Sequence, residues 1–239
     1  MGSPRKVCCH FISRAKTVKV RSTTILLGAL LLSSELPSLL ADETKSGRNK
    51  RPPRTIRIPE DHARIQKAID VAGNGDIVLV APGVYREQLR LQGKQITLAS
   101  RFLTSRDRKD IQRTILDGSI SRDGKTTRGN TLITVAQDVG SKTRIIGFTI
   151  QNGDDGISCA AKIEIANNHF INNGDAIDYE SGGGICRDNI FERNGDDAVD
   201  LDGASEAIIE NNLMRNNGDD GIEIRLHKYS GKMLNIVIR

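Results

Sequence analysis

Carboxylates at fixed spacing are the residues of this 239-residue chain best suited to chemistry. The tightest set is Asp196-Asp197-x-x-Asp200, with Asp175 and Asp178 standing one repeat earlier. Strand residues alternate between two faces, so with Ile177 and Tyr179 inward, Asp178 and Glu180 point outward. The same alternation turns out Asp200 and Asp202, then Glu223 and Arg225. Neighbouring strands lie ~4.8 Å apart. Two bare carboxylates at that separation repel by ~3 kcal/mol at an effective dielectric of ~20. Such a ladder calls for a bound cation, a shared proton or intervening basic groups. Oxygen-rich, histidine-poor clusters suit Ca2+, which is the cofactor this pattern implies. A local reading competes with it: Asn-Gly-Asp is good turn chemistry, and Asp154, Asp196 and Asp219 could do no more than bond backbone amides. Turns do not need Asp178, Asp200 or Asp202.

The elements that must position these groups are read from repetition. Four segments begin Gly153-Asp154-Asp155-Gly156-Ile157, Gly174-Asp175-Ala176-Ile177, Gly195-Asp196-Asp197-Ala198-Val199 and Gly218-Asp219-Asp220-Gly221-Ile222, at intervals of 21, 21 and 23 residues. A second column, Gly147, Asn168, Asn189 and Asn212, is expected to mark a recurring left-handed turn and to stack as an Asn ladder. A repeat of about 21 residues with short alternating strands cannot bury its apolar face alone, and it must stack on its neighbours. Ile157, Ile177, Val199 and Ile222 form one inward column; Cys159, Tyr179, Leu201 and Ile224 form a second; Ile165, Cys186 and Ile209 form a third on another face. Cys159 and Cys186 therefore read as small core residues on different sheets rather than a disulfide. The fold class is all-β: a right-handed parallel β-helix, a solenoid of ~21-residue coils, with an N-terminal capping α-helix. That helix is read over Asp61–Ala72, with Glu60 and Asp61 at its positive end.

Charge and composition narrow the class. Aromatic residues are only 3% of the chain, which argues against a stacking platform for nucleic acid. Residues 1–41 hold six Lys or Arg and one Glu, which accounts for the net +5 by itself. Residues 151–224 hold 17 acidic and 4 basic groups, so an acidic block sits inside a neutral body. The basic flank, the apolar run Ile25–Leu32 and the small Ala41 read as a secretory signal over 1–41, leaving no integral membrane segment after cleavage. Residues 42–54 read as a polar linker and 55–239 as the solenoid, secreted or placed in the periplasm or at the cell surface. His62, His169 and His227 form no ligand spacing, and Arg101–Arg113 reads as a solvated insertion. The chain stops inside a strand, at Asn235-Ile236-Val237-Ile238-Arg239. The solenoid is thus expected to be incomplete at its C-terminus, with Ile222, Ile224, Ile236 and Ile238 exposed and self-association through that open end.

The stretch Ile65-Gln66-Lys67-Ala68-Ile69, with Gly75-Asp76-Ile77-Val78-Leu79-Val80-Ala81-Pro82-Gly83, resembles the N-terminal cap and first coil of the pectin-lyase-like superfamily. Ile146-Gly147-Phe148-Thr149-Ile150-Gln151-Asn152-Gly153 and its repeats resemble that superfamily's right-handed coils. The superfamily holds lyases, hydrolases, esterases, epimerases and non-enzymatic members, so the fold alone does not set the reaction. Asp196-Asp197-x-x-Asp200 is similar to the calcium site of the family 9 pectate lyases. The resemblance implies Asp175, Asp196, Asp197 and Asp200 as metal ligands and an acidic polysaccharide as partner. It implies a basic side chain that takes the proton beside the uronate carboxylate; Lys228, Lys232 and Arg225 are the basic groups close downstream, with no motif to choose among them. Asp178, Glu180, Asp202 and Glu223 are then the substrate-facing positions. Gly-Asp-Asp is also similar to polygalacturonases, whose paired carboxylates act as acid and base, but their Gly-His-Gly and Arg-Ile-Lys elements are missing, as is the Asp-Pro-His of alginate epimerases. The expected function is a calcium-dependent lyase of uronan type or a relative of one. The alternatives are a non-catalytic carbohydrate-binding or surface solenoid and a polygalacturonase-like hydrolase.

Overall fold

The computed structural model describes residues 51–122, 125–226 and 229–239. The leader read at 1–41, together with His227 and Lys228, lies outside the described residues. Three parallel sheets wrap about seven coils. Sheet 1 runs Thr55–Ile58, Ile77–Val80, Thr97–Ser100, Arg144–Ile146, Lys162–Ala166, Gly183–Arg187, Glu206–Glu210 and Val237–Ile238. Sheet 2 runs Gly83–Tyr85, Thr114–Asp117, Thr149–Gln151, His169–Ile171, Ile190–Glu192 and Leu213–Arg215. Sheet 3 runs Leu89–Leu91, Ile133–Val135, Asp155–Cys159, Asp175–Glu180, Val199–Asp202 and Glu223–Arg225. A small antiparallel hairpin, Ile120–Arg122 with Lys125–Thr127, projects from the coils. Among the described residues no helix is long and apolar enough to cross a membrane.

The core is the stack of inward columns. Ile133, Ile157, Ile177 and Val199 are in register on sheet 3, as are Tyr179, Leu201 and Ile224, and all are buried. Sheet 1 contributes Val78, Leu98, Ile145, Ile165, Cys186 and Ile209. On sheet 2 the rings of Phe170 and Phe191 stack with centroids 5.0 Å apart. Both cysteines are free and buried, and burial pushes their thiols up, Cys159 to about 11 and Cys186 to about 12. They are inert core residues.

Four expectations need correction. The capping helix, α1, spans only Ile65–Val71, with no acidic residue in its first turn. Glu87, from the next coil, accepts its free N–H groups at Ile65 and Gln66 (2.9 and 3.2 Å), while Asp61 is spent on the Arg57 N–H. The left-handed residues are Gly147, Asn167, Asp188 and Asn211, so the turn column lies one position before Asn168, Asn189 and Asn212. Gly147 aligns with Asn167 because that first coil is 20 residues long, and Phe148 heads the Asn ladder. The Arg101–Arg113 stretch is two short helices, α2 at Phe102–Ser105 and α3 at Arg108–Arg113, and it is not merely solvated. Phe102 is buried against Ala99 and Ile146, so the insertion covers part of the outer face of sheet 1. In the final coil Ile222, Ile224 and Ile236 are buried rather than exposed, together with Leu234, and the last strand pairs with Glu206–Glu210, leaving Ile238 half-buried.

Candidate functional site on the acidic face of sheet 3

The site begins in the turns that enter sheet 3. Asn152, Asn172, Arg193 and Asn216 take left-handed backbone there, followed by Gly153, Asn173, Asn194 and Asn217. These last positions form a second ladder: Asn173 Oδ1 accepts the Gly153 N–H, Asn194 Oδ1 that of Asn173, and Asn217 Oδ1 that of Asn194 (3.0–3.1 Å). This ladder holds each following Asp at the same height on its coil.

Two columns of carboxylates result. At the turn exit Asp155 pairs with Asp175 in register. Asp175 Oδ1 accepts the Asp197 N–H at 2.9 Å, and Asp197 Oδ1 accepts the Asp220 N–H at 2.7 Å. Backbone bonding, expected of Asp154, Asp196 and Asp219, is thus made through one oxygen each by Asp175 and Asp197 instead; among the described residues no backbone N–H reaches the side chains of Asp154, Asp196 or Asp219. On the strands Ser158, Asp178, Asp200 and Glu223 are in register, and beside them Glu180, Asp202 and Arg225. Carboxylate oxygens gather within 4.8 Å of one another in three groups: Asp175/Asp196/Asp197, Asp178/Asp200/Asp202 and Asp197/Asp200/Glu223. The set Asp175, Asp196, Asp197 and Asp200 is thus not one group. Asp197 joins the first group to the third, and Asp200 belongs with the strand column.

Burial makes this column costly. Asp200 is 1% exposed and Asp197 4%. Oδ1 of Asp178 and Oδ1 of Asp200 are buried and meet no hydrogen-bond donor among the described residues. Desolvation, reinforced by the neighbouring charges of Glu180, Asp155 and Asp200, pushes Asp178 up to about 7. Desolvation and Asp202 push Asp200 up to about 7 against the pull of Arg225. Asp197 is pushed up to about 8, mainly by burial and by sharing a hydrogen bond with Glu223. At neutral pH the face holds protons that ordinary carboxylates would have lost.

Arg225 is the basic group the structure brings into this column. Its guanidinium bonds Asp200 Oδ2, Asp202 Oδ1 at 2.9 Å and Glu223 Oε2 at 3.2 Å. Burial opposes its charge, but the Asp202 hydrogen bond and the Asp200 field hold it firmly protonated. Its place is that of a counter-ion. Lys232 is exposed in the segment before the last strand, where its carbonyl accepts from Tyr229 Oη. Glu180 is exposed at the strand end.

Sequence reasoning missed Arg128. It lies just after the hairpin, and its guanidinium passes over the turn glycines: a Cβ on Gly195 would stand 2.4 Å from its Nη1 and one on Gly174 3.4 Å. Nothing local in Arg128-Gly129-Asn130 signals that reach. His169 sits apart on sheet 2, its Nε2 3.4 Å from Glu192, whose carboxylate also holds Arg193 and Arg215. A cavity of about 410 Å³ lies on the outer face of sheet 1 beside Lys142, Arg144, Lys162 and Ile185, separate from the acidic column.

No curated protein and no solved structure matches the chain. Residues 122–238 match the family model described as right handed beta helix region, the stretch that carries both Asn ladders and both carboxylate columns. The matched stretch and the coil topology agree, and the chain folds as a right-handed parallel β-helix.

Proposed function

We propose that the acidic face of sheet 3 binds Ca2+ and, through it, an acidic polysaccharide, and that the protein is a uronan lyase or a relative of one. The observation that carries this is the turn group Asp175, Asp196 and Asp197, whose carboxylate oxygens gather within 4.8 Å of one another and, among the described residues, make no ion pair with Arg225. All-oxygen donors at this spacing suit a hard divalent cation. A polyanion is repelled by a bare acidic face and attracted once a cation sits on it. Asp175, Asp196 and Asp197 would hold the ion, Asp175 and Asp197 each keeping one oxygen for a backbone N–H. Bound there, Ca2+ supplies the positive charge that draws a uronate carboxylate to the face and acidifies the adjacent C–H.

The chain's own residues supply the rest. Asp178 and Glu180 follow Asp175 along its strand, while Asp200 and Asp202 hold Arg225 in place. The proton acceptor must be a neutral amine or a carboxylate, since Arg225 is held charged by three acids. Lys228 and Lys232 remain the candidates for it. The signal read at 1–41 would deliver the protein outside the cytoplasm, to the periplasm, the cell surface or the medium.

A second reading rests on its own observation. Asp178 and Asp200 face each other on adjacent strands and both titrate near pH 7, which suits one as acid and the other as base in glycoside hydrolysis. One assay separates the two. Purified protein is incubated with polygalacturonate and alginate, with calcium and with chelator. Ultraviolet-absorbing unsaturated ends that vanish with chelator support the lyase. Reducing ends without that absorbance support the hydrolase. Calcium-dependent retention on the polymer with neither product leaves a binding solenoid.

A further inference from the structure

The three groups of carboxylates on sheet 3 are not equivalent, and Arg225 is what separates them. Asp200, Asp202 and Glu223 each give an oxygen to its guanidinium. Those same residues belong to the two groups built on the strands, Asp178/Asp200/Asp202 and Asp197/Asp200/Glu223. Asp175 and Asp196, in the turn group, have no ion pair with Arg225. One guanidinium carries a single charge and five donors, all in one plane. It therefore cannot satisfy a basin of four acids: Asp200, 1% exposed, keeps its Oδ1 buried without a donor, and so does Asp178 across the strand pair. A divalent ion in the same place would carry twice the charge and accept oxygen ligands from any direction.

We infer that Arg225 is a resident cation that keeps a second divalent-metal locus, formed by Asp178, Asp200 and Asp202, closed. The acidic face then has one open locus in the turns and one reserved locus on the strands. The ion pairs that close the second come from the chain itself, so selectivity is built into the coil that carries Arg225. Sheet register makes this possible, because Arg225 follows Asp202 in the same outward column and Glu223 follows Asp200 in the next. Arg225 thus acts as a specificity-determining residue for metal number. This inference rests on the calcium reading above for the open locus only.

The test is calcium titration calorimetry of the full chain at pH 8, comparing wild type with Arg225→Gln. The expected result is one more Ca2+ bound by the variant than by wild type, with the added site at least about tenfold tighter than any second binding seen in wild type. A folded Arg225→Gln with the wild-type count and affinity overturns the inference, and so does a wild type that already fills both loci. Asp196→Asn in the Arg225→Gln background separates the two ideas: it should remove the turn ion and leave the added one. If wild type binds no calcium but Arg225→Gln binds one that Asp196→Asn does not remove, the reserved locus stands and the reading of the turn locus fails. If neither protein binds, both fail. Arg225→Lys keeps the charge but cannot span three carboxylates, and it should show a smaller gain than Arg225→Gln. Should Arg225→Gln not fold, an Arg225→Lys protein with wild-type calcium binding overturns the inference.

Discussion

The Asn ladders and the carboxylate columns occupy neighbouring positions on the same coils, each one residue per turn of the solenoid, yet their energetics differ. In the first ladder Asn189 Oδ1 accepts from the Asn168 N–H and side-chain amide, and its own Nδ2 donates to Ile165 O and Asn212 Oδ1. An amide carries donor and acceptor together, so a stack of amides satisfies itself even when fully buried. A carboxylate only accepts. Stacked carboxylates can use backbone N–H groups, as Asp175 and Asp197 do, but their surplus oxygens need protons or cations from elsewhere. Asp76 shows the opposite outcome at the other end of the molecule. It too is buried, yet Arg51, Arg54, the Gly73 N–H and the Arg54 N–H match its oxygens, and the Arg51 hydrogen bond chiefly holds its carboxyl well below the usual range. Burial alone does not make a polar group available for function; unmatched burial does.

The most damaging way to break this contrast is to put a carboxylate into the ladder. Asn189→Asp loses both donations and places a charge at a buried rung, at a cost of about 4 kcal/mol at pH 7. Urea unfolding measures it, and a loss below about 1 kcal/mol would show that the ladder is not self-satisfying.

A smaller effect follows from pH. Asp178, Asp197 and Asp200 have folded values raised to about 7, 8 and 7, so the stability they allow is complete below about pH 4 and is lost as pH rises through 7 to 8. Asp76 and Glu192, lowered by their arginine partners, act in the other direction: their contribution is present above about pH 4 and lost as the pH falls further. Stability should therefore peak near pH 4 to 5 and fall by about 2 kcal/mol toward pH 8, because neighbouring acids titrate together rather than independently. Calcium should flatten that descent. Thermal melts across pH, with and without calcium, check it; a calcium-free profile that is flat from pH 5 to 8 contradicts the unmatched-burial account.

The smallest effect sharpens the comparison by making one acidic rung amide-like. Asp178→Asn should stabilise the protein by about 1 kcal/mol at pH 8 and leave it unchanged at pH 4, because the amide adds a donor and removes a charge. Paired chemical denaturation at the two pH values reads this, and stabilisation of equal size at both would point to packing instead.

Much of the coil architecture was readable because solenoid repeats put equivalent residues at constant intervals. The inward columns Ile157/Ile177/Val199/Ile222 and Ile165/Cys186/Ile209 stand as the alternation implies. The second Asn ladder carries the same periodic signal, as Asn173, Asn194 and Asn217 each precede a turn glycine. The one-residue displacement of the left-handed column was not readable, since Gly147 and Asn168 look equivalent until strand pairing shows a 20-residue coil between them. Arg128 was invisible for a different reason: a flexible side chain on an irregular segment has no periodicity to betray where it lands.

The sequence by itself determined the solenoid, its core columns and the acidic face, because all three follow from side-chain alternation and repeat length, which are local properties summed over coils. Tertiary structure decided how the charges are matched. Only the sheet register puts Arg225 against Asp200, Asp202 and Glu223, leaves Asp178 and Asp200 each with an unmatched oxygen, and divides one run of aspartates into distinct groups. Coulomb and desolvation energies change steeply over a few ångströms, and sequence spacing does not resolve that distance.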